Sequence, residues 1–245
     1  MSGDERQAAV AARDLTRRFG DFTAVDAISL EVARGEIFGF LGANGAGKTT
    51  AIRMMSGLLA PTEGEAWVDG VAVSRHPEQV KRRIGYMSQR FSLYDDLRVE
   101  ENLEFYGGIY GLSGAQLQRR RDALLPRLGL AGHLRRMTGD LPLGFKQRLA
   151  LGCALLHEPP VVFLDEPTGG VDPLARRDFW ELIYHVAGQG TTVFVTTHYM
   201  DEAEYCHRIS IMVDGRIVAL GTPAELKQRT GGRDMQQVFL EVVRR

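Results

Sequence analysis

Short apolar runs alternate with stretches of helical period along most of this chain, the pattern of an α/β domain built on a largely parallel sheet. Residues 24–32 and 36–41 read as strands, joined by the turn-like Ala33-Arg34-Gly35. Residues 49–59 then read as a helix, with Ile52, Met55 and Leu59 along one face. Asp69-Gly70 within 66–73 and Asp214-Gly215 within 209–218 mark two hairpins, because Asp-Gly accepts the positive φ angles of a two-residue turn. Buried-strand runs occupy 161–164 and 192–196, with a helix over 179–187 between them. Between Leu93 and Leu156 the strand signal vanishes and helical periodicity takes over, in 99–103 and 115–128, so a helical insertion in the core is expected. The expected organisation is a disordered segment 1–12, an α/β core over 13–92 and 157–229, and a helical subdomain over 93–156. A short C-terminal helix is expected in 230–245, beyond the Gly231-Gly232 break.

Composition narrows the classes. Thirty Lys+Arg against 31 Asp+Glu leave a net charge of −1, without the basic excess of a nucleic-acid binder, so no nucleic-acid partner is expected. An apolar content of 44% at low net charge is globular rather than disordered. Lys81-Arg82-Arg83 and Arg119-Arg120-Arg121 are short enough to be solvated helix faces. Cys153 and Cys206 make neither a disulfide framework nor a zinc cluster, which suits a reducing compartment. No apolar run approaches the ~18 residues of a spanning helix, and MSGDERQAAV lacks a signal-peptide apolar region, so a soluble intracellular protein is expected.

Glycine is the skewed count, at 28 residues, and Gly42-Ala43-Asn44-Gly45-Ala46-Gly47-Lys48-Thr49 satisfies G-x-x-x-x-G-K-[ST] between a strand and a helix. Such a loop wraps tightly enough for successive N–H groups to converge on phosphate oxygens, and the following helix adds its positive dipole end. The candidate nucleotide contacts are Gly42, Ala43, Asn44, Gly45, Ala46, Gly47, Lys48, Thr49 and Thr50. Lys48 would reach the β- and γ-phosphates, and the Thr49 hydroxyl would ligate Mg²⁺. Val161-Val162-Phe163-Leu164-Asp165-Glu166 places two acids at the C-terminal end of a buried strand, where parallel sheets bind ligands. Asp165 would hold Mg²⁺ directly or through water, and Glu166 would orient and deprotonate the attacking water. The chain is therefore expected to bind and hydrolyse a nucleoside triphosphate. No N-K-x-D or T-K-x-D tetrapeptide is present to read guanine, and the interval from Lys48 to Asp165 can hold a separate helical subdomain.

Over 13–226 these residues resemble the ATP-binding cassette (ABC) ATPases. Beyond the two motifs above, Gln89 in Gly85-Tyr86-Met87-Ser88-Gln89 is similar to the family's Q-loop, Gly170-Val171-Asp172-Pro173 to its D-loop, and His198 in Thr196-Thr197-His198 to its switch histidine. Phe19 in Arg18-Phe19-Gly20 occupies the place of the aromatic that stacks on adenine. The resemblance implies a P-loop NTPase fold, a RecA-like core with a mostly parallel sheet, an antiparallel β edge and an inserted helical subdomain. It implies ATP and Mg²⁺ as cofactors, with Thr49, Gln89 and Asp165 at the metal and His198 between the γ-phosphate and Glu166. His157, His185 and His207 have no ligand-like spacing and are expected to be structural or surface residues, and no metal site is expected at Cys206-His207.

The signature segment departs from the family's L-S-G-G-Q. In Leu141-Pro142-Leu143-Gly144-Phe145-Lys146-Gln147-Arg148, proline replaces serine, leucine a glycine and phenylalanine the glutamine. The resemblance makes this the start of a helix facing the ATP of a second cassette, with Gly144 still able to offer its N–H in trans and Pro142 suited to the first helical position. The segment 91–103, from Phe91 to Leu103, and Thr197-His198-Tyr199-Met200-Asp201-Glu202-Ala203-Glu204 resemble the branch serving ABC-2 type exporters, which includes drug-resistance ATPases. That branch implies a membrane-spanning permease received near 91–103, a second cassette in a homodimer or heterodimer, and a cytoplasmic location peripheral to the membrane. The competing classes are a soluble ABC ATPase of DNA repair, iron–sulfur assembly or translation, and a low-turnover nucleotide sensor. The first usually carries coiled-coil, tandem or basic additions, which this sequence does not show; the altered signature is what favours the second.

Overall fold

The computed structural model describes residues 8–89 and 92–244, so the first seven residues of the segment expected to be disordered, and Phe91, lie outside it. In chain order the elements are β1 (Val10–Phe19), β2 (Phe22–Val32), β3 (Ile37–Leu41), α1 (Lys48–Met55), β4 (Glu63–Val68), β5 (Val71–Ala72), α2 (Pro77–Arg83) and β6 (Ile84–Met87). The helical subdomain contributes α3 (Val99–Ile109), α4 (Gly114–Leu124) and α5 (Leu143–Leu155). Then follow β7 (Val161–Asp165), α6 (Pro173–Gly188), β8 (Thr192–Thr197), β9 (Arg208–Val213), β10 (Arg216–Gly221), α7 (Pro223–Thr230) and α8 (Met235–Val243).

Two sheets form. One is four-stranded and antiparallel, in the order β2-β1-β4-β5; the other is six-stranded, in the order β10-β9-β3-β8-β7-β6, parallel except for the β9–β10 hairpin. Both Asp-Gly turns fall where expected, with positive φ at Asp69 and Gly70 and at Asp214 and Gly215, which gives the connection the twist of its flanking strands. The strands of the parallel sheet are buried on both faces and serve two cores. Phe38 and Phe40 of β3 point with Phe163 and Phe194 into the layer between the sheets, where Phe194 lies 5.3–5.4 Å from each of the other three. Ile37, Leu41, Val162 and Val193 face the opposite way, into a core shared with α5 and α6. A side-chain period of two on one strand thus holds both layers against the same sheet.

Several expectations need correction. Residues 9–12, expected to be disordered, are buried, and β1 begins at Val10, paired on both sides by β2 and β4. Their small apolar run, Ala9-Val10-Ala11-Ala12, is too weak a strand signal until two neighbours cover it. The helix expected over 49–59 ends at Met55, because Ser56 caps it and Gly57 turns to a φ of +72°. α2 and α7 were not legible as helices by periodicity, although Pro77 and Pro223 both sit in a first turn and Thr222 with Glu225 forms a capping box over α7.

Candidate active site

Strand β3 delivers the glycine loop at the end of its ladder, where Gly42 N–H still donates to Thr197 O at 3.3 Å. A Cβ at Gly42 would lie 2.5 Å from Met212 O, and one at Gly47, whose φ is +103°, would lie 2.4 Å from Ala24 O. These two glycines are required by the protein's own neighbouring backbone, whatever ligand the loop holds. Helix α1 starts at Lys48 with no side-chain cap and no acid in its first turn, and its first loop-to-helix bond is Ala51 N–H to Gly47 O. Ala46 N–H donates within the loop to Ala43 O at 3.2 Å, and the four amides just ahead of Ala51 have no intrahelical acceptor, so they are open to an external one in the positive field of the helix end.

The loop opens on a cleft of about 410 Å³ lined by Asn44, Gly45, Gly47, Lys48, Thr49 and Thr50, with Gln89 and Glu166 opposite and Phe22 and Ala24 on one wall. Gly42 and Ala43 lie deeper, and their carbonyls accept from Lys48 Nζ at 2.8 and 3.0 Å. Ala46 is buried, its carbonyl accepting from Gly215 N–H at 3.1 Å. Phe19, expected at the adenine, is not part of this wall. Its ring lies 4.6 Å from the Arg17 guanidinium, while Phe22, its cross-strand partner and 65% exposed, faces the cleft. The two-residue turn at Gly20-Asp21 carries both aromatics, and nothing in the local sequence distinguishes which of them lines the cleft.

The acids meet the loop from β7. Thr49 Oγ1 donates to Asp165 Oδ1 at 3.1 Å, and Thr196 Oγ1 donates to the same oxygen at 2.7 Å. Burial pushes the Asp165 carboxyl above its ordinary pKa, the Thr196 and Thr49 hydroxyls pull it back, and neighbouring Glu166 adds to the rise. Glu166 follows at a φ of +48°, in the left-handed region that a residue with a side chain rarely adopts. Its N–H is fixed by Thr196, at 2.9 Å from Oγ1 and 3.2 Å from the carbonyl. Its carboxylate is where the remaining candidates converge. Lys48 Nζ lies 3.3 Å from Oε1, Gln89 Nε2 donates to Oε2 at 3.0 Å, and His198 Nδ1 lies 3.1 Å from Oε2, close but outside hydrogen-bond geometry. Four residues expected to act together from the loop, from the chain after β6, and from the ends of β7 and β8 are therefore one cluster. Thr196, which orients both acids, carried no signal in the sequence beyond its place in a strand.

Thr49 and Asp165 offer hard oxygen donors side by side, and the raised Asp165 carboxyl is a group that a cation would favour. No group of three His, Cys, Asp or Glu able to hold a metal occurs among the described residues, so Mg²⁺ here would draw its other ligands from phosphate and water, as that ion ordinarily does. His157 stacks on Tyr110 at 3.6 Å with Nε2 3.0 Å from Ile84 O, and burial lowers its pKa to about 4. His207 Nδ1 accepts from Ile37 N–H at 3.1 Å. Both are structural, as expected, and His185 is an exposed neighbour of Gln189 on α6.

The signature segment opens α5 with Pro142 as N-cap, one position earlier than the first-turn place expected for it. At φ −54° and ψ 150° it stays extended, and its carbonyl accepts from Phe145 and Lys146 N–H at 2.9 and 3.1 Å. Leu143 is 41% exposed, and its Cδ2 is the nearest atom to a Cβ built at Gly170. Phe145 turns inward against His133, with Arg148 over its ring. Gly144 lies in the uncapped first turn, and a Cβ built on it would lie 3.4 Å from Ala175 Cβ of α6.

Comparison with known proteins agrees with this geometry. Residues 25–169 match the ABC transporter family. The chain is 47% identical over 248 residues to the probable multidrug ABC transporter ATP-binding protein YbhF of Escherichia coli (strain K12), covering 99% of this chain and 43% of that protein. It is 41% identical to the daunorubicin resistance ATP-binding protein DrrA3 of Streptomyces coeruleorubidus, over 95% of this chain and 74% of that one. The chain thus spans less than half the length of YbhF and about three quarters of DrrA3. A solved ATP-binding subunit of an ABC transporter superposes with a TM-score of 0.86 at 31% identity, over 96% of this chain and 99% of that one. With the glycine loop, the paired acids, Gln89 and His198 gathered on one carboxylate in that fold, this chain belongs to the ABC transporter family of ATP-binding proteins.

Proposed function

We propose that the chain hydrolyses Mg²⁺-ATP as a motor cassette of an ABC-2 type exporter, working as a pair with a second cassette on the cytoplasmic face of a membrane-spanning permease. The observation that carries the reading is the convergence of Lys48, Gln89 and His198 on Glu166, within 3.0–3.3 Å of its two oxygens. In this reading the amides of 44, 45 and 47–50 and Lys48 Nζ hold the β- and γ-phosphates, and Phe22 at the hairpin tip lies against the base. Thr49, Asp165 and Gln89 would hold Mg²⁺, which would neutralise charge on the phosphate oxygens. Gln89 and His198 orient a water, Glu166 takes its proton, and the oxygen attacks the γ-phosphorus as ADP departs. The positive φ of Glu166, held by Thr196, aims the carboxylate back into the cleft instead of along the strand.

Gly144 and its neighbours at the start of α5 would meet the partner's ATP in trans. The permease would dock on the helical subdomain, where Tyr94 and Phe105 are exposed and stack edge-to-face at 4.9 Å, with exposed Ile109 on the same helix as Phe105. Asn102, fully buried, fixes that surface by accepting from Tyr94 N–H at 3.0 Å and donating to Tyr94 O at 2.9 Å. Among the described residues no helix is long and apolar enough to cross a membrane, so the coupling would run through such docking. The test is Mg²⁺-dependent ATP turnover of the chain, together with pull-down from detergent-solubilised membranes. No turnover would overturn the motor reading. Turnover with no integral membrane protein captured would favour a soluble ABC ATPase.

A further inference from the structure

We propose that Glu202 is a positioning residue for hydrolysis, tying the segment after Glu166 to the turn that carries His198. This rests on the reading of Glu166 and His198 as the hydrolytic pair. Glu202 looks like one of several solvated acids in Met200-Asp201-Glu202-Ala203-Glu204, yet its exposure is 0%. A buried carboxylate is unfavourable unless it is hydrogen-bonded and faces a cation, and Glu202 has both. Its Oε1 accepts from the Thr168 hydroxyl, its Oε2 accepts from the Thr197 hydroxyl, and Arg176 Nε lies 3.6 Å from Oε1 as an ion pair without a hydrogen bond. The same Arg176 guanidinium covers the Tyr199 ring at 3.8 Å and reaches to 3.5 Å from Asp201 Oδ2.

These contacts bracket the reacting groups. The Thr197 hydroxyl, donating to Glu202, accepts from Tyr199 N–H at 3.0 Å, so the residues on both sides of His198 are bound to one hydroxyl. Thr168 lies two residues beyond Glu166, in the turn closed by Gly169 N–H to Glu166 O at 3.2 Å. The β7–β8 ladder ends at Asp165 opposite Thr196, one residue short of Glu166 and two short of His198. Past that point sheet pairing no longer sets the separation of the two side chains. Glu202 is the side chain that spans the two segments there.

The experiment is steady-state ATPase kinetics of the full chain carrying Glu202→Gln, Thr197→Val or Thr197→Ser, each alone and with His198→Ala. Because a small misplacement of reacting groups costs up to about 100-fold, Glu202→Gln and Thr197→Val should each lower kcat by about 10- to 100-fold with KM within about twofold. Thr197→Ser keeps the hydroxyl and should stay within about threefold of the parent, which also decides the matter if Glu202→Gln does not fold. In the His198→Ala background the Gln and Val changes should cost less than about twofold more, because groups acting through one another are not additive. An equal loss in both backgrounds, a Ser variant no better than Val, or a rise in KM alone would overturn the proposal. If the parent and His198→Ala turn over equally, it is the hydrolytic reading that fails. The His198 imidazole NMR resonance then still tests the strut: it should move in Thr197→Val and stay in Thr197→Ser and in the exposed control Glu204→Gln, and an unmoved resonance in the Val variant sinks the idea.

Discussion

The N-termini of α1 and α5 are left open in the same way, and they differ in almost everything around them. Neither α1 nor α5 has a side-chain cap or an acid in its first turn, so both present amides and a positive dipole end. The α1 end is surrounded by a finished site: Lys48, the Thr49 hydroxyl, the two acids at the end of β7 and a loop whose Gly42 and Gly47 are pinned by backbone at 2.4–2.5 Å from where a Cβ would sit. The α5 end presents Pro142, exposed Leu143 and Gly144, with Lys146 of the same turn already donating to Asp95 at 2.9 Å. A dipole end alone attracts any anion; geometry and chemistry come from what converges on it from elsewhere in the fold. In the proposed function the α1 end therefore carries the chemistry and the α5 end an accessory contact to a neighbour's nucleotide.

The largest effect should come from removing the base at the finished end. Glu166→Gln should lower kcat by about 10²–10⁴-fold while ATP binding persists, since positioned general bases contribute on that scale. Near-normal turnover in that variant would leave the convergence on Glu166 without its chemical meaning. Lys48→Ala should next weaken nucleotide affinity by about 10- to 150-fold, the worth of a hydrogen bond to a charged group, read by equilibrium binding. If kcat fell and affinity held, Lys48 would act only on the reacting phosphate.

The unfinished end is tested by repair. Pro142→Ser with Leu143→Gly restores a hydroxyl donor and clears the approach, and in a Glu166→Gln background it should tighten ATP-dependent dimerisation about 10-fold, near the lower limit for one such bond. Pro142→Ser alone should change little, because Leu143 still projects at the helix start. A double variant that dimerises no better than its parent would show that this end does not meet a partner's nucleotide.

The smallest effect is on stability. Burial raises the Asp165 pKa, so the folded state holds its proton more tightly than the unfolded chain; the ionised carboxyl therefore costs stability above its ordinary 3.8, and that cost is lost as pH falls. Asp165→Asn keeps an oxygen for both threonine hydroxyls and removes the charge. Without nucleotide or metal it should melt higher at pH 7, by about 2–4 °C for each kcal/mol relieved, with the gain shrinking towards pH 4. A gain that does not shrink in acid would assign it to packing rather than to charge.

Much of the finished end was legible because it is local. A phosphate cradle is made by consecutive amides, so its residues lie side by side in 42–49, and Asp165-Glu166 announces itself as polarity ending an apolar run. The two Asp-Gly hairpins were legible for the same reason. The strand over 10–19 was not, since its opening residues are buried only by β2 and β4, and α2 and α7 have too little apolar face to show a period.

By itself, then, the sequence determined the α/β class, the loop and the acid pair through short motifs whose chemistry needs neighbouring residues, whereas Gln89 and His198 were marked out only by the resemblance to the ABC ATPases. Tertiary structure alone decided which side chains complete them. Register places Thr196 opposite Asp165 and Thr197 opposite Leu41, which sets one hydroxyl on both acids and the other on Glu202. The hairpin turns Phe22 rather than Phe19 into the cleft, and Glu202 is fully buried between the Thr168 and Thr197 hydroxyls. The contacts of Thr196 with Asp165 and of Thr168 with Glu202 join residues 31 and 34 positions apart, and such partners are chosen by strand order and pleat, which no local pattern encodes.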